Sequence, residues 1–252
     1  MPTPLTLPRI EWGSSDAEKH ALLVHGLGST GALMWRLGIA LADAGWHATA
    51  VDLRGHGDAP RALDYTIAAF AADLVGTRRA DGGNWDAVIG HSLGGAASTV
   101  ASAADPGWTS RLVLLDPAIE LSGRDARAVR RSQQRAFADN RIERVRRENP
   151  AWHPQDHELK VDAVRRSSAW AIEQVGTQNP VWDVRAEAAR LAVPTTIIAS
   201  DPKINSLFAG RLAEEVLASN PWITAYVVPG STHSLHRDQP ARTLERLFEA
   251  LA

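Results

Sequence analysis

The chain has 252 residues, of which 44% are hydrophobic and 22% are charged, and its formal net charge at pH 7 is -2. These are ordinary globular proportions, which exclude wholesale disorder and fibrous repeats, and the near-neutral charge gives no reason to expect a nucleic-acid or anionic-membrane partner. The absence of cysteine excludes disulfides, thiolate-ligated zinc, iron-sulfur clusters and a cysteine nucleophile.

The first residues of the sequence do not have the composition of an export signal. Residues 1–15 have neither a basic segment nor a continuous apolar run, and no later stretch approaches the about 18 apolar residues of a membrane span. We therefore expect an unexported, cytoplasmic protein with no membrane partner.

Short apolar runs that end in Gly, Pro, Asp or Ser alternate with longer alanine-rich stretches of helical spacing. This alternation predicts an α/β fold with a mostly parallel central sheet flanked by helices. Strands are predicted over residues 21–27, 47–53, 85–92, 111–117, 194–200 and 223–230, with a weaker edge strand in 5–12. Helices are predicted over residues 31–44, 66–80, 93–105, 206–219 and 239–251.

The regular alternation stops in residues 118–186, a stretch far longer than an ordinary loop and without a convincing strand. We expect it to form helices of its own and to lie as a lid across one edge of the sheet. The predicted division is an α/β core of residues 1–117 and 187–252 and a helical lid (cap) of residues 118–186. The arginines of this stretch are offset by acidic residues at helical spacing, which is typical of a solvated face, and an anion-steering surface is the alternative.

The residues most informative about chemistry are 90–95, which read GHSLGG between an apolar run and an alanine-rich helix. A G-x-S-x-G sequence in that position makes a turn too tight for side chains at its ends. It forces Ser92 into a strained backbone conformation that presents its hydroxyl, and the backbone N–H of Leu93 points to where an oxyanion would form. Ser92 is therefore the predicted nucleophile.

A serine hydroxyl needs a base within hydrogen-bond reach, and the base needs a carboxylate to orient it. His233 follows the last predicted strand and is the favoured base, with His236 as its competitor. For the acid, Asp201 is favoured because it follows the strand immediately before the one that carries His233. Asp116 and Glu120 also satisfy the chain order Ser, Asp/Glu, His and remain open.

Four blocks in order, VHGLGST (24–30), DLRGHGDAP (52–60), GHSLGG (90–95) and PGSTH (229–233), resemble the α/β-hydrolase superfamily, in its serine-nucleophile, lidded esterase- or lactonase-like branch. The resemblance runs from about residue 20 to the C-terminus, interrupted by the predicted lid. It implies that Leu27 gives a second oxyanion N–H beside that of Leu93. One departure from the family pattern concerns the loop that contains Asp201. This sequence has Ala199 at its start, where the family usually has glycine.

The resemblance also implies which reactions to expect. Relatives that open epoxides or remove halides use an aspartate nucleophile, so a serine favours acyl chemistry. Neither a metal nor another cofactor is required for it. His153 and His157 have a helical spacing, but a proline lies between them and no third ligand is evident, which argues against a metal site.

Tryptophan is unusually frequent, with 9 residues against 2 tyrosines. Three of them lie in the predicted lid, and a further one follows the oxyanion loop, so an apolar, aromatic-lined substrate pocket is expected, with packing of the lid on the core as the alternative. The predicted substrate-binding residues are Trp35, Trp152, Trp170 and Trp182.

The expected function is hydrolysis of a carboxylic ester or lactone of a small to medium apolar or aromatic molecule, through an acyl-enzyme on Ser92. The partner is thus a small-molecule ester or lactone. A carbon-carbon bond hydrolase, an amidase or a thioesterase would use the same residues. A ligand-binding receptor built on the same fold is the alternative from another class.

Overall fold

The computed structural model describes residues 2–252. Within that range the central sheet has seven strands in the order β1-β3-β2-β4-β5-β8-β9. All neighbours are parallel except the edge strand β1, which pairs antiparallel with β3. The predicted mostly parallel α/β sheet is confirmed, including the weak edge strand.

The strands are β1 (Arg9–Trp12), β2 (Lys19–Val24), β3 (Trp46–Val51), β4 (Ala87–His91), β5 (Leu112–Leu115), β6 (Glu120–Leu121), β7 (Trp182–Asp183), β8 (Thr195–Ala199) and β9 (Ile223–Val227). The helices are α1 (Trp35–Asp43), α2 (Ile67–Gly76), α3 (Leu93–Ala104), α4 (Gly123–Ala138), α5 (Ile142–Glu148), α6 (Pro154–Arg166), α7 (Ala169–Gln178), α8 (Arg185–Ala188), α9 (Gly210–Ser219), α10 (Leu235–Asp238) and α11 (Pro240–Leu251). A short 3₁₀ helix, Gly31–Met34, precedes α1.

The inner strands are mostly apolar because both faces of the sheet are covered. Successive side chains of a strand point to opposite faces, and the core divides accordingly. Leu22 and Val88 belong to a cluster that packs with α2, α3, α8 and α9. Leu23 and Ile89 belong to a second cluster that packs with α1 and α11. A parallel sheet covered on both sides leaves the carboxyl ends of its strands as the open edge, where α/β proteins bind ligands.

Residues 118–186, called here the inserted segment, leave the sheet after β5 and return before β8. The expectation that this segment contains no strand was wrong, since β6 and β7 pair antiparallel through Glu120 with Asp183 and Leu121 with Trp182. These two-residue strands close the base of the segment, and α4 to α7 lie between them. A pairing this short leaves no periodic pattern in the sequence, so it could not be predicted from the residues alone.

Among the described residues, no helix combines the length and the apolar composition that crossing a bilayer requires.

Candidate active site

The turn between β4 and α3 holds Ser92 in a backbone conformation that L-residues rarely adopt, with φ 54° and ψ -115°. The flanking glycines are required by close approach: a Cβ on Gly90 would lie 2.7 Å from the carbonyl oxygen of Gly94. Ser92 has 9% of its surface exposed. Strain of this kind persists only where the surrounding structure enforces it, and it is common at functional sites. Here the strained residue lies at the carboxyl end of a central strand.

His233 lies in the loop between β9 and α10, with its side chain 24% exposed. Its Nδ1 donates to Oδ2 of Asp116 at 2.6 Å. His233 and Ser92 line the same cavity, and within residues 2–252 the Ser92 hydroxyl makes no hydrogen bond to another protein group. Nδ1 of His233 is thus occupied by Asp116, and its Nε2 has no hydrogen-bond partner among the described residues.

Asp116 follows β5 with a positive φ of 38° and is fully buried. It accepts hydrogen bonds from the hydroxyl of Ser206 at 2.7 Å and from the backbone N–H of Leu207 at 3.1 Å. Burial acts to raise the pKa of Asp116, but the hydrogen bond and charge of His233 and these further donors outweigh it and hold the pKa at about 2. Asp116 is therefore an ionised carboxylate, held in place by several donors.

The prediction that Asp201 orients His233 does not agree with this geometry. Asp201 accepts from the backbone N–H of Gly230 and from that of Lys203, each at 2.9 Å. Its carboxylate is thus occupied in joining the loops that follow β8 and β9. The other open alternative, Glu120, lies on β6 with Arg185 as its charged neighbour at 3.8 Å.

The competing histidine, His236, is 1% exposed and packs its ring 4.7 Å from that of His91. Burial and the charge of Arg237 lower its pKa well below the usual value. His91 directly precedes Ser92, and its Nε2 donates to the backbone oxygen of His233 at 2.8 Å. His91 therefore fixes the backbone of the His233 loop, a role that the motif did not reveal.

The loop after β2 supplies the second predicted oxyanion donor. His25 is fully buried: its Nδ1 donates to the carbonyl oxygen of Gly26 at 2.8 Å and its Nε2 accepts from the N–H of Leu53 at 3.0 Å. Burial lowers the pKa of His25 to about 4, so the ring is neutral and structural. The N–H of Leu27 finds no acceptor among the described residues, and that of Leu93 opens α3, where N–H groups lack helical acceptors.

Two neighbouring cavities meet at this edge of the sheet. The first, about 410 Å³, contains Ser92 and His233 and has many polar groups in its walls. The second, about 640 Å³, is lined mainly by apolar side chains, among them Leu121, Phe137 and Ile172. Helix α4 borders both cavities. Residues common to both are Leu27, Val129 and Gln133.

The four tryptophans predicted to bind substrate occupy different places. Trp152 lines the polar cavity and donates from Nε1 to Oδ1 of Asp238 at 2.7 Å. Trp182 lines the apolar cavity. Trp35 lines neither cavity; its Nε1 donates to Asp156 in α6. Trp170 also lines neither cavity: it is 47% exposed, and its ring packs edge-on against Tyr65. The structure brings two of the four to the site.

Two cations in the wall of the polar cavity were missed by the sequence reasoning. Nζ of Lys160, from α6, donates to the carbonyl oxygen of Gly28 at 2.6 Å. Arg237, from α10, is 5% exposed and stacks on Trp152 with Cζ 4.9 Å from the ring centre. Both residues lie outside the four blocks that resemble the superfamily, so no motif marks them as site residues.

The pair of histidines considered for a metal has other partners. His157 Nε2 donates to the carbonyl oxygen of Asn149 at 2.8 Å, and His153 accepts from the N–H of Gln155 at 3.2 Å. In the part of the chain that the structure describes, no group of three or more His, Cys, Asp or Glu side chains is arranged to hold a metal ion.

The protein is an α/β protein with a serine, a histidine and a buried carboxylate at the carboxyl edge of its sheet. The model of the alpha/beta hydrolase family matches residues 21–246, and the chain belongs to that family. The predicted superfamily is confirmed.

Similar proteins include hydrolases with different names. Lipase LipV of Mycobacterium tuberculosis is 38% identical over 108 residues, which are 43% of this chain and 41% of the lipase, so the match spans less than half of that protein. The 2-(acetamidomethylene)succinate hydrolase of Mesorhizobium japonicum is 27% identical over 246 residues, covering 90% of this chain and 85% of that protein. The solved structure of an esterase from Exiguobacterium antarcticum superposes with a TM-score of 0.79 at 17% identity, covering 100% of this chain and 99% of that chain. The last likeness concerns the fold alone.

Proposed function

We propose that this hydrolase cleaves a carboxylic ester or lactone through an acyl-enzyme on Ser92, with His233 as the base and Asp116 as the carboxylate that orients it. The observation that carries the proposal is the 2.6 Å hydrogen bond between His233 and Asp116 at the wall of the cavity that contains the strained Ser92. Asp116 replaces Asp201 in the proposed triad because Asp201 is occupied elsewhere.

In the proposed reaction, Oγ of Ser92 attacks the substrate carbonyl carbon and its proton passes to Nε2 of His233. Asp116 keeps the proton on Nδ1 and stabilises the imidazolium that forms. The negative charge on the former carbonyl oxygen is met by the N–H groups of Leu27 and Leu93. Each such donor is worth about 3 kcal/mol of transition-state stabilisation when it is well placed.

The tetrahedral intermediate then collapses. The bond to the alcohol breaks, His233 gives its proton to the leaving oxygen, and the acyl group stays on Ser92. A water molecule, deprotonated by His233, attacks the acyl carbon and releases the acid. In this scheme the inserted segment serves as a lid, which is supported by the position of α4 along both cavities.

The experiment is hydrolysis of p-nitrophenyl acetate by the wild-type protein, Ser92→Ala and His233→Ala. We expect a burst of about one nitrophenolate per chain in the wild type and a loss of at least about 10³-fold in kcat for each variant. A fluorophosphonate probe should add its mass to the wild type and not to Ser92→Ala. Turnover by Ser92→Ala at the wild-type rate would contradict the proposal, and the lack of hydrolysis in all three proteins would favour a receptor.

Amide hydrolysis is the second candidate, because the relative that matches 90% of this chain is named for the hydrolysis of 2-(acetamidomethylene)succinate. The same residues would act, with His233 protonating a leaving nitrogen instead of an oxygen. p-Nitroacetanilide is the matched amide of p-nitrophenyl acetate: it has the same acyl group and the same p-nitrophenyl ring, and it releases coloured p-nitroaniline instead of p-nitrophenolate. A kcat/KM for the anilide equal to or above that for the ester would favour amide hydrolysis.

A further inference from the structure

The polar cavity contains two buried or partly buried cations without a carboxylate partner. Within residues 2–252, neither Lys160 nor Arg237 forms a salt bridge. The hydrogen bond of Lys160 goes to a backbone carbonyl, that of Gly28. The side chain of Arg237 reaches the hydroxyl of Ser29 through Nη2 at 3.5 Å, and its Nε has no partner. Burying a charge costs free energy unless the charge is paired, so an anion bound beside Lys160 and Arg237 would stabilise this arrangement.

The neighbouring carboxylates are engaged by other donors. Asp156 accepts from Trp35 and from Arg36, each at 2.8 Å. Asp238 accepts from Trp152 at 2.7 Å and from the backbone N–H of Thr232 at 2.8 Å. Their charges partly offset that of Arg237, but neither carboxylate forms an ion pair with it.

The charge balance of the cavity wall is positive. Among the described residues that line it, the acids are Asp125 and Glu148, and Glu148 is paired with Arg144. Burial and the nearby charge of Arg237 lower the pKa of Lys160 to about 7. Burial lowers the pKa of Arg237 to about 10. Both residues would gain from an anion beside them.

The position of the cations sets the length of the molecule that could reach both them and the nucleophile. Lys160 contacts Gly28, and Arg237 contacts Ser29. These residues directly follow Leu27, the proposed oxyanion donor, and consecutive Cα atoms are about 3.8 Å apart. A carboxylate bound between the cations would therefore lie only a few bonds from a carbonyl held by the N–H of Leu27.

We propose that Lys160 and Arg237 bind a carboxylate of the substrate, so that the enzyme acts on half esters of short dicarboxylic acids. The planar guanidinium of Arg237 suits bidentate binding of a carboxylate, and Lys160 adds a second charge. This inference rests on the proposed ester hydrolysis at Ser92. The expected substrate is then not purely apolar, because its acyl part carries a carboxylate. The apolar cavity is left for the alcohol part of the ester.

The test compares monoethyl succinate with ethyl levulinate, in which a methyl ketone replaces the carboxylate at the same chain length. We expect the wild type to prefer monoethyl succinate by at least tenfold in kcat/KM, mostly through a lower KM. Equal or better hydrolysis of ethyl levulinate would overturn the inference while leaving the proposed function intact. Hydrolysis of neither ester would count against the proposed function instead.

Variants separate carboxylate binding from support of the loop that contains Leu27. Arg237→Met and Lys160→Met should each reduce the kcat/KM of monoethyl succinate at least tenfold more than that of ethyl levulinate. Arg237→Lys keeps the charge but not the planar fork, so it should retain more of the preference than Arg237→Met and less than the wild type. A purely structural role would lower kcat for both esters alike. The matched control is Arg124→Met, an exposed arginine of α4, which should leave both esters unaffected.

Binding to the Ser92→Ala variant gives a readout that does not depend on turnover. Calorimetry should show monoethyl succinate binding to it, and adding Arg237→Met should raise the Kd at least tenfold. Circular dichroism of Arg237→Met and of Lys160→Met, each compared with the wild type, checks that both variants are folded. Equal binding of monoethyl succinate and ethyl levulinate to Ser92→Ala would contradict the inference even if neither ester were hydrolysed.

Discussion

Nδ1 of His233 lies 2.6 Å from Oδ2 of Asp116, although 117 residues separate them in the chain. The contact joins the loop that follows β9 to the end of β5, the strand adjacent to the one that presents Ser92. A fully buried carboxylate with this partner and additional donors is suited to hold an imidazole in one tautomer.

The first prediction concerns the identity of this carboxylate. Asp116→Asn should lower kcat for p-nitrophenyl acetate by about 10³- to 10⁴-fold, because the wrong tautomer of His233 is then stabilised. Asp201→Asn is the matched control and should retain kcat within about fivefold, since an amide oxygen can still accept one of the two backbone N–H groups. A large loss in Asp201→Asn with little in Asp116→Asn would restore the acid expected from the sequence. Thermal unfolding of both variants checks that they are folded.

The second prediction follows from the pKa of Asp116, which is lowered from the ordinary aspartate value of 3.8 to about 2 in the folded protein. A folded pKa below the unfolded value stabilises the protein above the unfolded pKa, and this stabilisation is lost as the pH falls from about 4 toward 2. Its size is about 2 kcal/mol. Urea unfolding should therefore show a steeper loss of free energy between pH 5 and pH 2.5 in the wild type than in Asp116→Asn. Parallel curves for the two proteins would argue against a depressed pKa.

The sheet and the strained turn at Ser92 could be predicted because their signals are local. Strands covered on both faces give continuous apolar runs, and the tight turn at Ser92 requires glycine on both sides. His233 could be located because it follows the last strand. In each case the physical requirement, burial on both faces or a tight turn, is met by residues within one short segment, so the segment's own sequence indicates it.

The carboxylate partner of His233 and the polar cavity depend on contacts that no short segment contains. Asp116 is held by Ser206 and Leu207, about ninety residues away in the chain. The order of residues did not distinguish Asp116 from Asp201, since both follow strands and precede proline. Lys160 reaches Gly28 across 132 residues. The composition of the inserted segment indicated exposed charge, whereas the fold turns this lysine inward.

The third prediction concerns the space between the loop after β2 and Ser92, the proposed nucleophile. A Cβ on Gly26 would lie 2.8 Å from Nδ1 of His91 and 3.0 Å from Cβ of Ser92. Gly26→Ala should therefore displace the loop or the nucleophile and lower kcat at least about tenfold, since a small misplacement of reacting groups is costly. Gly107→Ala is the control, because Gly107 is exposed and its Cβ would meet only Asp105 at 3.5 Å. Equal activity of the two variants would mean that the loop is more adaptable than the packing indicates.

The last prediction concerns the apolar cavity, which we expect to hold the alcohol part of the ester. Gly176, in α7, lines this cavity, and a Cβ built on it has no atom within 4 Å. Gly176→Leu should fill part of the cavity and lower kcat/KM for octyl acetate at least about fivefold more than for ethyl acetate, with Gly176→Ala intermediate. Replacing a helical glycine should stabilise the protein by about 0.5–1 kcal/mol, so a raised unfolding temperature would show that the loss is not caused by unfolding. If both acetates lose activity equally, the apolar cavity does not receive the alcohol chain.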